Sequence, residues 1–147
     1  MTVKKFEEFI KSGVVKKQTP NRARALSIIE EVKSKKQYLE ISIKSIPKEK
    51  LNANVIVDQC YDVLMELIRA KLYIEGYNAG NSHEAEVSYL KILGFIESDL
   101  RFMDELRYYR NGTKYYGIIL NMKYAEQTLA FMEKMYPKLL KTLDKDK

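Results

Sequence analysis

The sequence predicts an all-α protein, an up-and-down antiparallel bundle of four main helices plus a short amino-terminal helix. Proline and glycine are sparse, with 3 and 6 among 147 residues, so long segments carry no helix breaker. Apolar residues recur in these segments at three- and four-residue spacing, which is typical of amphipathic helices. The connections are short, which favours antiparallel neighbours. We therefore expect one domain over residues 1–147, with an arm at 1–19, the bundle at 20–143 and a frayed tail at 144–147.

The first two helices are delimited by glycine and proline. A short helix is expected over residues 2–12 because Gly13 follows it, and its small apolar face predicts a peripheral arm. That face comprises Phe6, Phe9 and Ile10. The second helix should begin near Pro20 and end before Pro47. Its apolar positions are Ala25, Leu26, Ile29, Val32, Leu39 and Ile43.

The third helix, over residues 52–77, has the widest apolar stripe, which marks it as the central helix of the bundle. The stripe consists of Val55, Ile56, Cys60, Val63, Leu64, Leu67, Ile68 and Leu72. A turn over residues 78–82 then leads to a fourth helix that extends through Leu93. Asn81 or Ser82 is expected to cap this helix by accepting unpaired backbone N–H groups.

The remaining chain predicts two more helices with a break between them. The Ser98-Asp99 pair should cap a helix that continues through Arg110, and the Asn111-Gly112 pair should break or kink the chain. The last helix is then expected over residues 116–143, bent at Pro137. Its inner face would consist of Ile119, Leu120, Tyr124, Leu129, Met132, Met135 and Leu139.

Composition excludes several classes of protein. No run of about 18 apolar residues exists, so no membrane span is expected, and the charged amino terminus argues against a signal peptide. We therefore expect a cytoplasmic protein that does not bind membranes. A single cysteine, Cys60, cannot form an internal disulfide and reads as a small buried hydrophobe, and one His with one Cys cannot build an ordinary zinc site. No metal or other cofactor is expected.

Charge is distributed unevenly along the chain. The formal net charge is +6, yet residues 51–100 contain eight acids and only three bases, so the positive charge lies in the flanking segments. Basic segments favour an anionic partner such as RNA, DNA or a nucleotide. The alternative is that the lysine-rich surface only keeps the protein soluble.

Residues 107–117 form the most unusual segment, with three bases, four tyrosines and no acid. Arginine grips phosphate through two N–H groups, lysine adds a point charge, and tyrosine rings stack on bases. A kink at Asn111-Gly112 would turn Arg110 and the residues after it toward a common cleft. The alternative interpretation is that these tyrosines belong to the core or to an interface.

The order of motifs in this chain resembles the HEPN domain family (higher eukaryote and prokaryote nucleotide-binding) over residues 20–143. The resemblance is carried by Leu67, Ala70 and Leu72 on the third helix, a glycine turn, His83, and Arg110-Asn111 with an aromatic pair a few residues later. Members of the family are helical bundles that usually dimerise. Many are metal-independent ribonucleases, often toxins paired with a small nucleotidyltransferase antitoxin.

The family's catalytic signature is an arginine, commonly followed by a polar residue, with a histidine four to six residues beyond the arginine. The resemblance places the arginine on Arg110 and its polar neighbour on Asn111. The histidine position falls on Tyr115, or on Tyr116 or Lys114 if the spacing shifts. The sequence therefore departs from the family at the residue that transfers the proton.

This departure predicts reduced or absent ribonuclease activity. Imidazole titrates near neutral pH, whereas a phenol has an ordinary pKa of about 10 and is a poor base at pH 7. General acid–base catalysis contributes about 10²- to 10⁴-fold to the rate of such a reaction. Loss of the histidine should therefore remove most of the cleavage activity but leave phosphate binding intact. His83 is expected to be a neutral cap or surface group at the start of the fourth helix, and not a replacement base.

Three acids on the third helix, Asp58, Asp62 and Glu66, are spaced four residues apart and lie in a row on one face. They are referred to below as the acidic row. The row could position Arg107 or Arg110 through salt bridges, could coordinate a divalent cation, or could simply be a solvated surface. A cation is the least favoured, because no second acidic cluster of matching spacing exists.

Three hypotheses for the function follow. In the first, a HEPN-like homodimer binds RNA or a nucleotide, with Arg110 on the phosphate, Asn111 orienting it and Tyr115 in the histidine position. Further nucleic-acid contacts are expected from Arg107, Tyr109, Lys114 and Tyr116. In the second, the protein is an active metal-independent ribonuclease in which Tyr115 or Tyr116 handles the proton. In the third, it is a helical scaffold that docks a partner such as a nucleotidyltransferase, without nucleic acid.

Overall fold

The computed structural model of the chain describes residues 3–144, which form a bundle of α-helices with one small β-sheet. The helices are α1 (Phe6–Lys11), α2 (Arg22–Ser45), α3 (Ala53–Glu75), α4 (His83–Ile92), α5 (Glu97–Tyr115) and α6 (Met122–Asp144). A single 3-10 turn, Lys48–Lys50, lies between α2 and α3. Two strands, β1 (Lys16–Lys17) and β2 (Tyr77–Asn78), pair antiparallel. The predicted all-α fold is confirmed.

Helix α3 is the centre of the bundle, as its apolar stripe predicts. Its buried residues extend from Ile56 to Tyr73, and α2, α4, α5 and α6 all pack against it. Consecutive long helices reverse direction: Asp99 and Glu105 of α5 bond with Lys134 and Tyr124 of α6, so the partner numbers fall as the numbers on α5 rise. The long helices α2, α3, α5 and α6 are the four main helices of the bundle.

The amino-terminal segment is part of the core, and the prediction of a peripheral arm is wrong. Phe6, Phe9 and Val15 are buried, and the ring of Phe6 packs edge-on against Tyr77 and Tyr89 at centroid distances of 5.2 and 4.7 Å. Strand β1 then pairs with β2, a contact that no local pattern predicts. The aromatic residues that hold Phe6 follow it in the sequence by 71 and 83 positions.

Gly76 at the end of α3 makes the close approach of this segment possible. It adopts a left-handed conformation with φ of 81°, and a Cβ atom there would lie 2.6 Å from the carbonyl oxygen of Gln18. The Gln18 N–H donates to the carbonyl of Gly76 at 2.9 Å. Only glycine combines this dihedral angle with this contact.

Side-chain caps define the starts of most long helices. Asn21, Asn52 and Ser82 each accept a backbone N–H from the first turn of α2, α3 and α4. Ser82 is one of the two caps that the sequence predicts for α4. The predicted cap of α5 is wrong. The helix begins after Ile96 without a side-chain cap, and Asp99 lies inside the first turn, buried against Lys134.

The predicted kink at Asn111-Gly112 is also wrong, because α5 continues through this pair to Tyr115. Gly112 is helical and buried, and a Cβ atom there would lie 2.5 Å from Cδ1 of Ile118. The chain therefore reverses only after Tyr115, where Gly117 has a φ of 70°. The glycine at 112 makes room for Ile118 as the loop folds back over α5.

The last helix consequently begins at Met122, and Asn121 caps it by accepting the N–H of Tyr124 at 2.8 Å. Ile119, expected on its inner face, is 87% exposed in the preceding loop. The helix is continuous through Pro137 to Asp144. The predicted first helical residue, Thr2, and residues 145–147 of the predicted frayed tail lie outside the described residues.

Asn54 on the first turn of α3 fixes this loop. Its Nδ2 donates to the carbonyl of Ile118 at 2.9 Å, and its Oδ1 accepts the N–H of Leu120 at 2.8 Å. One side chain thus satisfies a backbone donor and a backbone acceptor between α5 and α6.

Replacing Asn54 by alanine should destabilise the protein by about 1–3 kcal/mol, because the partly buried N–H of Leu120 loses its acceptor. Urea unfolding followed by circular dichroism measures the change. The control is Asn81→Ala, which removes an exposed amide that makes no side-chain hydrogen bond to residues 3–144. Equal unfolding midpoints for Asn54→Ala and the native chain would contradict a stabilising role for this amide.

Candidate functional site

An open cleft of about 480 Å³ lies between the carboxyl-terminal half of α5, the start of α4 and the middle of α3. Five of its lining residues come from the segment that the sequence singles out, namely Arg107, Arg110, Asn111, Lys114 and Tyr115. Helical periodicity explains why they meet, since positions i, i+3, i+4 and i+7 of a continuous helix share one face. A straight α5, and not a kink, gathers these side chains.

Two of the residues predicted to contact nucleic acid do not line the cleft. The ring of Tyr109 packs edge-on against Tyr124 of α6, at 5.1 Å between centroids, on another side of α5. Tyr116 follows the last residue of the helix and is 82% exposed. The alternative that these tyrosines serve packing therefore applies to Tyr109. Tyr115, in contrast, lies at the rim of the cleft and is 67% exposed.

Arg110 is held by the acidic row of α3. Its Nε donates to Oδ1 of Asp58, and its Nη1 lies 3.5 Å from Oδ1 of Asp62. The guanidinium carbon lies 5.6 Å from the centre of the Tyr61 ring, within the range of a cation–π contact. Only 19% of the Arg110 side chain is exposed, so it is fixed against α3 before any ligand arrives.

The other members of the predicted set have different partners. Arg107 pairs with Asp104 of its own helix at 2.8 Å, and Glu66 of the acidic row binds Lys35 of α2 at 2.9 Å. The hypothesis that the row positions an arginine is therefore confirmed for Arg110 and wrong for Arg107. Burial raises the pKa of Asp62, and the charge of Arg110 opposes this shift.

Lys114 differs from both arginines because no carboxylate of residues 3–144 lies within ion-pair distance of it. Its Nζ is 5.4 Å from the centre of the neighbouring Tyr115 ring. The ammonium group is thus a positive charge on the cleft wall that the protein leaves unneutralised. An anion entering the cleft can pair with it without displacing an internal partner.

Five residues that line the cleft are absent from the site predicted from the sequence, namely Tyr61, Asn81, Ser82, His83 and Glu84. The hydroxyl of Tyr61 lies 3.2 Å from Nδ1 of His83, and the two rings are nearly parallel. His83 is the first residue of α4, where the cap is Ser82, so the imidazole is half-buried in the cleft and is neither a cap nor a freely exposed group. Tyr61 could have been found from its place between Asp58 and Asp62 on the same face of α3.

Burial lowers the pKa of His83, and the nearby charges of Arg69 and Arg110 lower it further against the opposing effect of Glu86 and Asp62. The imidazole is therefore neutral at pH 7. Burial likewise raises the pKa of Tyr61, so its phenol keeps its proton at that pH. Within the described part of the chain, the cleft thus combines two guanidinium groups, an ammonium group without an ion-pair partner, a neutral imidazole and one carboxylate, that of Glu84.

This combination suits an anion more than a metal ion. Within residues 3–144, no three His, Cys, Asp or Glu side chains come together in a way that could hold a metal. The same part of the chain contains no helix that is both long and apolar enough to span a membrane. What the cleft offers to oxygen atoms of a bound group is N–H donors from α4 and α5.

The lowered pKa of His83 predicts a pH dependence of stability. The unfolded chain takes up a proton on this residue near the ordinary value of about 6.5, but the folded chain takes it up only at lower pH, so stability falls as pH drops through that value. His83→Gln should lose less stability than the native chain between about pH 7.5 and 5.5. Urea unfolding across this range measures the difference, and parallel curves for the two proteins would contradict the shift.

Comparison of the chain with protein-family models, with curated proteins and with solved structures finds no match. The resemblance to the HEPN family therefore depends on the residues that carry it in this chain alone.

Proposed function

We propose that the protein binds RNA or a nucleotide through a phosphate group held in the cleft, and that its ribonuclease activity is reduced or absent. The observation that carries the proposal is the convergence of Arg110, Asn111 and Lys114 on one cleft from a single face of α5. This is the arginine-centred segment that resembles the HEPN family. In a cytoplasmic protein of this kind, a phosphodiester is the anion that the resemblance implies.

Each of the three residues contributes a different interaction. Asp58 accepts a hydrogen bond from Nε of Arg110, and the guanidinium keeps further N–H groups that can donate to a phosphate oxygen. Asn111 lies one position farther along α5 and offers an exposed amide N–H to the same group. Lys114 provides the charge that the acidic row does not neutralise, which makes it the main source of electrostatic attraction.

Tyr115 accounts for the proposed loss of cleavage. It occupies the position of the family histidine and lies at the cleft rim, so it can contact a bound nucleotide while remaining largely exposed. A phenol is a poor proton acceptor at neutral pH. We therefore favour binding without cleavage over the alternative, an active metal-independent ribonuclease.

The resemblance also implies a homodimer, and the loop after α5 has the composition of a protein contact. Tyr116 and Ile119 are large side chains that are almost fully exposed in the loop after the cleft residue Tyr115. We infer that a second copy of the chain covers this loop, which would bring two clefts close together. A small nucleotidyltransferase antitoxin is the other candidate occupant, and co-expression followed by sizing would distinguish the two.

Lys114→Gln should weaken retention of labelled single-stranded RNA about three- to tenfold near 0.1 M salt. Loss of one phosphate contact should also make the slope of log affinity against log salt concentration shallower by about 0.7. Filter binding at several salt concentrations measures both quantities.

The matched control is Lys138→Gln, which removes the same charge. Lys138 lies beside Asp99 at the opposite end of α5, eleven residues and therefore about 16 Å along the helix from Arg110. Equal weakening by the two variants would mean that only net charge attracts RNA. No weakening by Lys114→Gln would remove the basis of the proposed function.

Tyr115→His should create or raise RNA cleavage that is insensitive to chelators, because an imidazole would then stand beside Arg110 in the family's spacing. The native chain and Tyr116→His, whose new imidazole lies outside the cleft, should remain nearly inert. Cleavage of a labelled RNA on a gel measures all three proteins. Vigorous cleavage by the native chain that Tyr115→Phe abolishes would replace the proposed function with the active ribonuclease.

A further inference from the structure

The pair formed by Tyr61 and His83 lines the cleft, yet the proposed function assigns it no role. We propose that Tyr61 holds the neutral imidazole of His83 in the form that carries its proton on Nε2, so that His83 donates a hydrogen bond to a phosphate oxygen. This inference deepens the proposed function and rests on it for the identity of the bound anion.

The first step concerns the direction of the hydrogen bond between the two side chains. Tyr61 is only 1% exposed, and Nδ1 of His83 is the one hydrogen-bond partner that its hydroxyl has among residues 3–144. A buried hydroxyl proton without an acceptor costs about 1–3 kcal/mol. The hydroxyl therefore donates to Nδ1, which must offer a lone pair, and the ring proton of the neutral imidazole lies on Nε2.

The second step concerns the place of Nε2. This atom has no hydrogen-bond partner among the described residues, and none of their fully buried side-chain nitrogen or oxygen atoms lacks a partner. Nε2 is therefore open to solvent. Because His83 lines the cleft, the Nε2–H group is the polar group that this side chain presents to a ligand there.

The third step concerns the charge of the ring. The ionisable groups that shift the pKa of His83 are Glu86 on α4, Arg69 and Asp62 on α3, and Arg110 on α5. Glu84, Arg107 and Lys114 line the same cleft. Burial, Arg69 and Arg110 favour the neutral ring, against Glu86 and Asp62.

A neutral ring with its proton on Nε2 can donate to an anion, but it has no lone pair facing the cleft. The geometry thus makes His83 a binding group and removes it as the base that the missing family histidine would otherwise require. The opposite tautomer would turn the same residue into a candidate base.

His83 is the only histidine of the chain, so its ring nitrogens can be observed without assignment. In an imidazole ¹⁵N correlation spectrum of the native protein near pH 7.5, Nδ1 should resonate as an acceptor nitrogen and Nε2 as a protonated one. Tyr61→Phe keeps the ring and removes the hydroxyl, and it should shift both resonances toward the average of the two tautomers. A protonated Nδ1, or identical spectra of the two proteins, would overturn the inference.

Binding is tested with inorganic phosphate and then with RNA. Phosphate should move the Nε2 resonance much more than that of Nδ1, and an unmoved Nε2 would overturn the donor role. His83→Leu should weaken RNA retention about three- to tenfold, whereas His83→Gln, which keeps an N–H donor, should retain most of it. Equal losses in the two variants, with native thermal stability in both, would also overturn the donor role.

Failure of the inference and failure of the proposed function are distinguishable. The tautomer is measured on the free protein and does not depend on any ligand. RNA retention by Lys114→Gln tests the proposed function without involving His83. If the native protein shows the expected tautomer and Lys114→Gln retains RNA as strongly as the native chain, the tautomer stands and RNA is removed as the ligand.

Discussion

The burial of α3 on nearly its whole circumference is the constraint on which the remaining structure depends. Four helices pack on this one, so a polar side chain of α3 is tolerated only where its neighbours leave a gap or supply a partner. Tyr61 lines the cleft, and Asp58 and Asp62 beside it on α3 find their partner in Arg110 of α5. The cleft is one place where the central helix is not covered by apolar groups.

The fold could be predicted where the signals are local, and much less where they depend on distant contacts. Asn52 and Ser82 cap helices because capping involves only the first turn. The Asn111-Gly112 pair has the local signature of a break, but packing of Ile118 over Gly112 makes the glycine a helical residue. Local signals do not predict the burial of the amino-terminal segment for the same reason, since Phe6 is buried by rings that lie far along the sequence.

The candidate site shows the same division. The sequence predicts that Arg110 and Lys114 share a cleft, but it attributes this to a kink, whereas the helical spacing of a continuous α5 brings them together with Arg107. His83 could not be added, because α4 has to fold back over α3 before its first residue reaches Tyr61. The competing carboxylates of Asp58 and Asp62 likewise become visible as partners of Arg110 only through the packing of α5 on α3.

The two hydrogen bonds between the Asn54 side chain and the loop between α5 and α6 affect how the cleft responds to a ligand. Since one amide joins the first turn of α3 to the backbone at both Ile118 and Leu120, the far end of α5 is anchored to the same helix that carries the acidic row. The walls of the cleft that α3 and α5 form are therefore held in a fixed relative position. A ligand that fits the existing width of the cleft would bind with little cost of reorganisation. A bulkier ligand would have to strain the connection between α3 and α5.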